Sequence, residues 1–312
     1  MISKLLRGKM SIFIALMLVL GMVVATSIAR ADTEKAKEHF NTGLTLSKDG
    51  NDSLAVMEYN QAIKEDPNFV DAYINLGSIY FAGENLGEAE KMFKKVTEIA
   101  PDNADGWANL GRTYYKQKKN IEAEQAYKTV IQKNPNYNEI YKDLGLLYYN
   151  SQPSNWPALI ENMQVYTSRV TDDYLAFYLI GKGYQKMKKY PEAIEAFNKT
   201  IALKKDYFNA YNSLGQIYQD QDKNKEAYQM YQKAVDADPG NYKAYYNLAI
   251  SYETVYQEDK AKIDQIIDYW SKFLKVAKSN SRAKSMVDGA EEHLTQLKEL
   301  KTHYEEEAAG KY

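Results

Sequence analysis

The chain has 312 residues, with 40 Lys and Arg against 42 Asp and Glu, 16 Gly, 7 Pro, 28 Tyr and no Cys. Near-zero net charge is a poor electrostatic footprint for a nucleic-acid binder, and the lack of cysteine excludes disulfides, Cys-ligated zinc, thiolate chemistry and a lipidated N-terminal Cys. Sparse Gly and Pro predict an all-α chain rather than a loop-rich β fold, long enough for two ordinary domains or one repeat array.

The first nine residues are short and basic, and Met10 to Ile28 is apolar apart from glycine and small hydroxyl residues. Ala29 and Ala31 then place small side chains where a signal peptidase reads them. This layout predicts a signal peptide over 1–31, cleaved before Asp32, or an uncleaved inner-membrane anchor as the alternative. Either one puts the remainder beyond the membrane, periplasmic or secreted, with membrane contact only through this segment if it is uncleaved. Removing Lys4, Arg7, Lys9 and Arg30 leaves the rest of the chain at about −6.

Beyond this segment, small and aromatic residues return with a period of about 34 residues. The first unit carries Gly43, Ala55, Tyr59, Ala62 and Pro67, with His39 where its successors have an aromatic ring. The second carries Tyr73, Leu76, Gly77, Tyr80, Ala89, Phe93, Val96 and Pro101. The third carries Trp107, Leu110, Gly111, Tyr114, Ala123, Tyr127, Val130 and Pro135 and shows the pattern most fully. The fourth opens in register with Tyr141, Leu144, Gly145 and Tyr148. It is then interrupted over Ser151 to Pro157 and resumes late, with Ala158, Asn162 and Val165 expected to pack. A fifth unit (Phe177, Gly181, Tyr184, Ala193, Phe197) and a sixth (Tyr211, Leu214, Gly215, Tyr218, Ala227, Tyr231, Ala234, Pro239) follow. The seventh has Tyr245, Leu248, Ala249 and Tyr252, with its second helix displaced by about five residues onto Ile266, Trp270 and Phe273. Ser281 to about Glu307, with Met286, Ala290, Leu294, Leu297 and Tyr304, reads as an amphipathic cap.

The physical reading is two antiparallel helices per unit. The small residues let them approach where they cross, aromatic and branched residues fill the space between them, and proline closes the second helix. These residues at this spacing resemble the tetratricopeptide repeat (TPR). The resemblance implies an α-α superhelix, a TPR solenoid of about seven helix pairs over 36–280, with a capping helix and tail over 281–312. It also implies that first helices line a concave groove and contact ligand there. At those positions stand Arg112, Tyr115 and Lys116 from the third repeat, and Lys142 and Tyr149 from the fourth. The fifth supplies Tyr178, Lys182, Gln185 and Lys186, and the sixth Gln216 and Gln219. A basic and aromatic groove in an acidic chain favours an acidic protein or peptide, with an acidic glycan as the second ligand class. The family's carboxylate clamp is absent, because Phe40, Leu44, Asp105 and Asn109 occupy its key positions.

No constellation for catalysis stands out. The glycines are scattered singly, so no phosphate-cradling loop exists, and no nucleophile elbow appears. His39, His293 and His303 lie at the ends of the array without metal-ligand spacing and read as surface residues. The expectation is therefore a scaffold without cofactor, enzymatic activity or nucleic-acid partner, acting in a cell-envelope complex or, as the alternative, in polysaccharide export or cell-wall handling. The Trp156 loop is either a second contact point or folds back onto the fourth repeat.

Overall fold

The computed structural model of the chain describes residues 33 to 311. The expected signal or anchor segment, 1–31, lies outside the described residues. Among the described residues the regular elements are all helical, and no helix is long and apolar enough to cross a membrane. The chain divides into two compact units, one ending at Asp143 and one beginning at Leu144.

The first unit holds α1 (33–48), α2 (Asp52–Glu65), α3 (Val70–Ala82), α4 (Leu86–Ile99), α5 (Ala104–Lys116), α6 (Asn120–Lys133) and the start of α7 (Asn138–Asn150). Each helix pair closes around one crossing. At Gly111 of α5 an added Cβ would lie 2.6 Å from the Tyr127 ring of α6, so only glycine lets the two backbones come this close. Leu110, Ala123, Tyr127 and Val130 are buried around that contact. Gly77 meets Phe93 in the same way.

Local chemistry sets the helix ends. The Asn103 side chain accepts the Gly106 amide at 2.8 Å and caps the start of α5. The Trp107 indole donates to the Pro101 carbonyl at 3.0 Å, and the Tyr141 hydroxyl reaches the Pro135 carbonyl at 3.0 Å. Both acceptors lie just past a helix end, where carbonyls lack an intrahelical partner. The aromatic ring near the start of each of these first helices thus closes the helix before it.

The second unit holds the rest of α7, α8 (Trp156–Thr167), α9 (Tyr174–Lys186), α10 (Tyr190–Leu203), α11 (Phe208–Asp220), α12 (Asn224–Ala237), α13 (Tyr242–Tyr256), α14 (Ile263–Ala277) and α15 (Lys284–Ala308). The displaced second helix of the seventh repeat is α14. It follows a short 3-10 turn at Lys260–Lys262 and buries Ile266, Trp270 and Phe273. The capping helix is α15, and it buries Val287, Ala290, Leu294 and Leu297. Val287 rather than Met286 takes the first inward position, since Met286 only packs at the margin.

The packing register of α8 differs from expectation. Leu159, Met163 and Tyr166 point inward, not Ala158, Asn162 and Val165. The Met163 side chain fills the space over Gly145 that an aromatic ring fills over Gly111. Both sets of residues share the same spacing, so sequence periodicity could not choose between them. The Ser151–Pro157 interruption starts α8 at Trp156, with Asn155 capping it by accepting the Ala158 amide at 3.2 Å, and that start sets the register.

Candidate functional site

The candidate binding residues lie on first helices, and each unit treats them differently. In the first unit Arg112 of α5 is tied to α7, its Nε donating to Asp143 Oδ2 at 2.8 Å. Burial pushes the Asp143 carboxyl up, and the facing guanidinium works against that push. Lys116 pairs with Glu84 at 2.5 Å and sits 4.7 Å above the Phe81 ring. Tyr115 and Lys142 are half-buried on α5 and α7. The expectation of a basic face is therefore corrected at Arg112 and Lys116. Adjacent first helices meet through polar side chains, and a carboxylate from the neighbouring repeat compensates each of these two cations.

In the second unit Tyr149 of α7 packs edge-on against Trp156, with ring centroids 5.8 Å apart at 74°. The Trp156 loop thus folds back onto the fourth repeat. Tyr178 of α9 is half-buried against Phe197 and Tyr207, with centroids 5.7 and 5.2 Å away. Burial pushes its hydroxyl up to about 12. Tyr207 also packs on Tyr174 at 5.1 Å. Tyr178 thus serves as packing rather than as an open ring for ligand.

The polar residues on the same face form a short relay. Lys182 Nζ donates to Gln185 Oε1 at 2.9 Å, and Gln185 Nε2 donates to Gln216 Oε1 of α11 at 3.2 Å. Further along, Asn247 of α13 donates to Asn212 of α11 at 2.6 Å. Gln219 accepts the Tyr231 hydroxyl at 3.0 Å, a tether from the exposed face to the core. Burial, and then the nearby Lys186, pulls the Lys182 ammonium below the ordinary lysine value.

Lys182, Gln185, Lys186 and Gln216 line an open cleft of about 190 Å³ together with Lys188, Tyr190 and Asp220. Sequence reasoning missed the last three, because they lie at or beyond the ends of the first helices. Lys188 enters the cleft from a turn where it holds φ 58, and the Tyr190 hydroxyl donates to Asp220 at 3.2 Å. A signal was available, since Glu84, Lys118 and Asp222 occupy the same turn position with φ of 59, 63 and 58.

His303 is exposed, as a surface residue should be, whereas His39 and His293 are engaged by carboxylates. His39 Nδ1 lies 2.7 Å from Glu58. His293 of α15 contacts both Glu253 carboxylate oxygens at 2.9 and 3.0 Å, and the Trp270 indole donates to the same carboxylate at 2.7 Å. His293 is therefore a tertiary pin between α13, α14 and the cap. Among the described residues no group of three or more His, Asp or Glu could hold a metal ion.

Family models described as tetratricopeptide repeat match residues 46–111, 82–146, 208–241 and 230–263, and one described as TPR repeat matches 181–222. Together they span more than half of the chain. Among solved structures, the C-terminal part of a TPR repeat-containing protein from Cytophaga hutchinsonii is 22% identical, with a TM-score of 0.65, covering 79% of this chain and 98% of that one. YrrB, described as a TPR protein with an unusual peptide-binding site, is 18% identical with a TM-score of 0.55, covering 60% of this chain and 95% of its own. Pseudomonas aeruginosa pilF is 17% identical with a TM-score of 0.55, covering 72% and 97%. At these identities the likeness carries the fold alone. No curated protein matches the chain.

Proposed function

The chain belongs to the tetratricopeptide repeat family, and on that premise we propose that it is an exported scaffold that binds a protein segment along its first helices, in assembly or maintenance of a cell-envelope complex. Repeat proteins of this family are generally non-enzymatic and present a large preformed surface, so little ordering cost attends binding. One observation carries the reading. In the second unit the faces of α9 and α11 keep basic and amide side chains around an open cleft, whereas the first unit pairs Arg112 and Lys116 with its own carboxylates. The peptide-binding site named for YrrB lends support, since that protein shares the fold. Placement beyond the membrane rests on the charge and hydropathy layout of residues 1–31.

A photo-crosslinking residue placed at Lys186 of α9 in intact cells tests the binding face, with Glu195 on the outer face of α10 as the control. The expected result is one protein captured from the first site only, and lost when Lys142→Glu and Lys182→Glu are combined without loss of helicity. Equal capture from both sites, or capture indifferent to the double substitution, overturns the assignment. Residues 1–31 fused to an alkaline phosphatase, which is active only after export, test the compartment. An inactive fusion counts against it.

A further inference from the structure

We propose that Lys182, Lys186 and Gln216 form a carboxylate-binding subsite that takes an acidic side chain of a bound peptide. The proposal rests on the peptide-scaffold reading above and names the chemistry of its ligand.

Arg112 and Lys182 both stand at the ninth place of their repeats, and Asp143 and Ser213 both stand at the sixth place of the repeat that follows. In the third and fourth repeats this pair is an ion pair, with 2.8 Å from Arg112 Nε to Asp143 Oδ2. In the fifth and sixth the cation is kept, but its counter-charge is replaced by a buried neutral hydroxyl.

Lys182 therefore sits half-buried with a neutral amide oxygen as its hydrogen-bond acceptor. Among the described residues neither it nor Lys186 pairs with a carboxylate. A partly desolvated ammonium without a counter-ion is costly, and an incoming anion removes that cost.

The surrounding groups suit an anion. Gln185 donates to the Gln216 carbonyl oxygen, which leaves the Gln216 amide NH2 as a neutral donor in the cleft lining. Lys188 adds a third cation at the rim. One carboxylate, Asp220, also lines the cleft, and it is engaged by the Tyr190 hydroxyl at 3.2 Å. Three cations thus face one acid.

Size and aromatic placement favour a peptide carboxylate over an acidic glycan. A cleft of about 190 Å³ suits one side chain. Stacking on a sugar takes an open ring face, and Tyr178 and Tyr207 are engaged with each other edge to face at 85°.

The test uses the whole chain and four probes: acetylated, amidated tetraglutamate, its tetraglutamine counterpart, tetragalacturonate and inorganic phosphate. Binding is read by calorimetry, and Lys182 by the pH titration of its side-chain Cε resonance. The expected result is that tetraglutamate binds and raises the Lys182 pKa, while tetraglutamine, tetragalacturonate and phosphate bind at least about tenfold more weakly. Lys182→Met should weaken tetraglutamate by about tenfold or more. Ser213→Asp, which restores the internal counter-charge seen at Asp143, should do the same with helicity retained. Unchanged tetraglutamate affinity in Lys182→Met overturns the proposal. So does tetragalacturonate or phosphate binding as tight as tetraglutamate. If a partner is captured through α9 but tetraglutamate fails, this subsite falls and the scaffold reading stands. If tetraglutamate binds through Lys182 but no partner is captured, the scaffold reading falls instead.

Discussion

Glu90 is where two consecutive repeats of the first unit are stitched by charge, and replacing it with Gln measures that stitch. Its carboxylate lies on α4, 2.6 Å from Lys94 one turn on and 2.8 Å from Lys119 in the turn after α5. Its side chain is 15% exposed. Burial alone would raise its pKa, but hydrogen bonds from Lys119, Lys94 and Gln117 outweigh burial and hold it at about 2, against an ordinary 4.5. The difference corresponds to about 3 kcal/mol at neutral pH. Lys94 and Lys119 are 50% and 41% exposed, so solvent screening reduces the realised value to about 2 kcal/mol or less. The sign follows from a folded pKa below the unfolded one. The contribution is complete above the unfolded value and disappears as pH falls through about 2. Urea unfolding followed by far-UV circular dichroism should show Glu90→Gln less stable than the parent at neutral pH. Only about three-fifths of that difference should remain near pH 3.5. A difference that stays constant with pH would refute the reasoning, because lost packing or hydrogen bonding alone does not titrate.

Gly111→Ala should destabilise by about 1–3 kcal/mol in thermal melts, since the new methyl lands 2.6 Å from the Tyr127 ring, and an unchanged midpoint would deny the tight crossing. Lys118→Gly and Lys188→Gly should each stabilise by about 0.5–1 kcal/mol, because both lysines hold a left-handed backbone, φ 63 and 58, that glycine adopts without strain; a loss of stability in both would count against that conformation. The Tyr59 hydroxyl is buried without a hydrogen-bond partner, whereas that of Tyr231 donates to Gln219 at 3.0 Å. Tyr59→Phe should therefore be neutral or stabilising and Tyr231→Phe should lose about 1 kcal/mol, with equal effects from the two contradicting the assignment.

Gly77 and Gly111 stand 34 residues apart, as do Gly181 and Gly215, and each meets the Phe93, Tyr127, Phe197 or Tyr231 ring of its paired helix. That much was legible in the sequence, because a helix pair can close tightly only where a side chain is missing opposite a large ring, and such a requirement repeats with the chain. The displaced second helix of the seventh repeat was legible for a related reason, since Ile266, Trp270 and Phe273 mark one apolar stripe and nothing nearby offers a rival. In α8 two stripes of equal spacing lay side by side, and the cavity over Gly145, a tertiary feature, chose Met163.

The candidate site was legible only as positions. Which cations remain uncompensated depends on side chains about one repeat away in sequence, as with Asp143 beside Arg112, and composition along one helix does not carry that information. His293 beside Glu253 and Trp270, and the carboxylate facing Lys116, were decided in the same way. The sequence by itself determined the helices, their pairing and the period, because backbone geometry and steric fit at the crossing are local to each repeat. Tertiary structure alone decided the charge balance of the binding face, because an ammonium is neutralised or left open by whatever the next repeat places within a few ångströms of it.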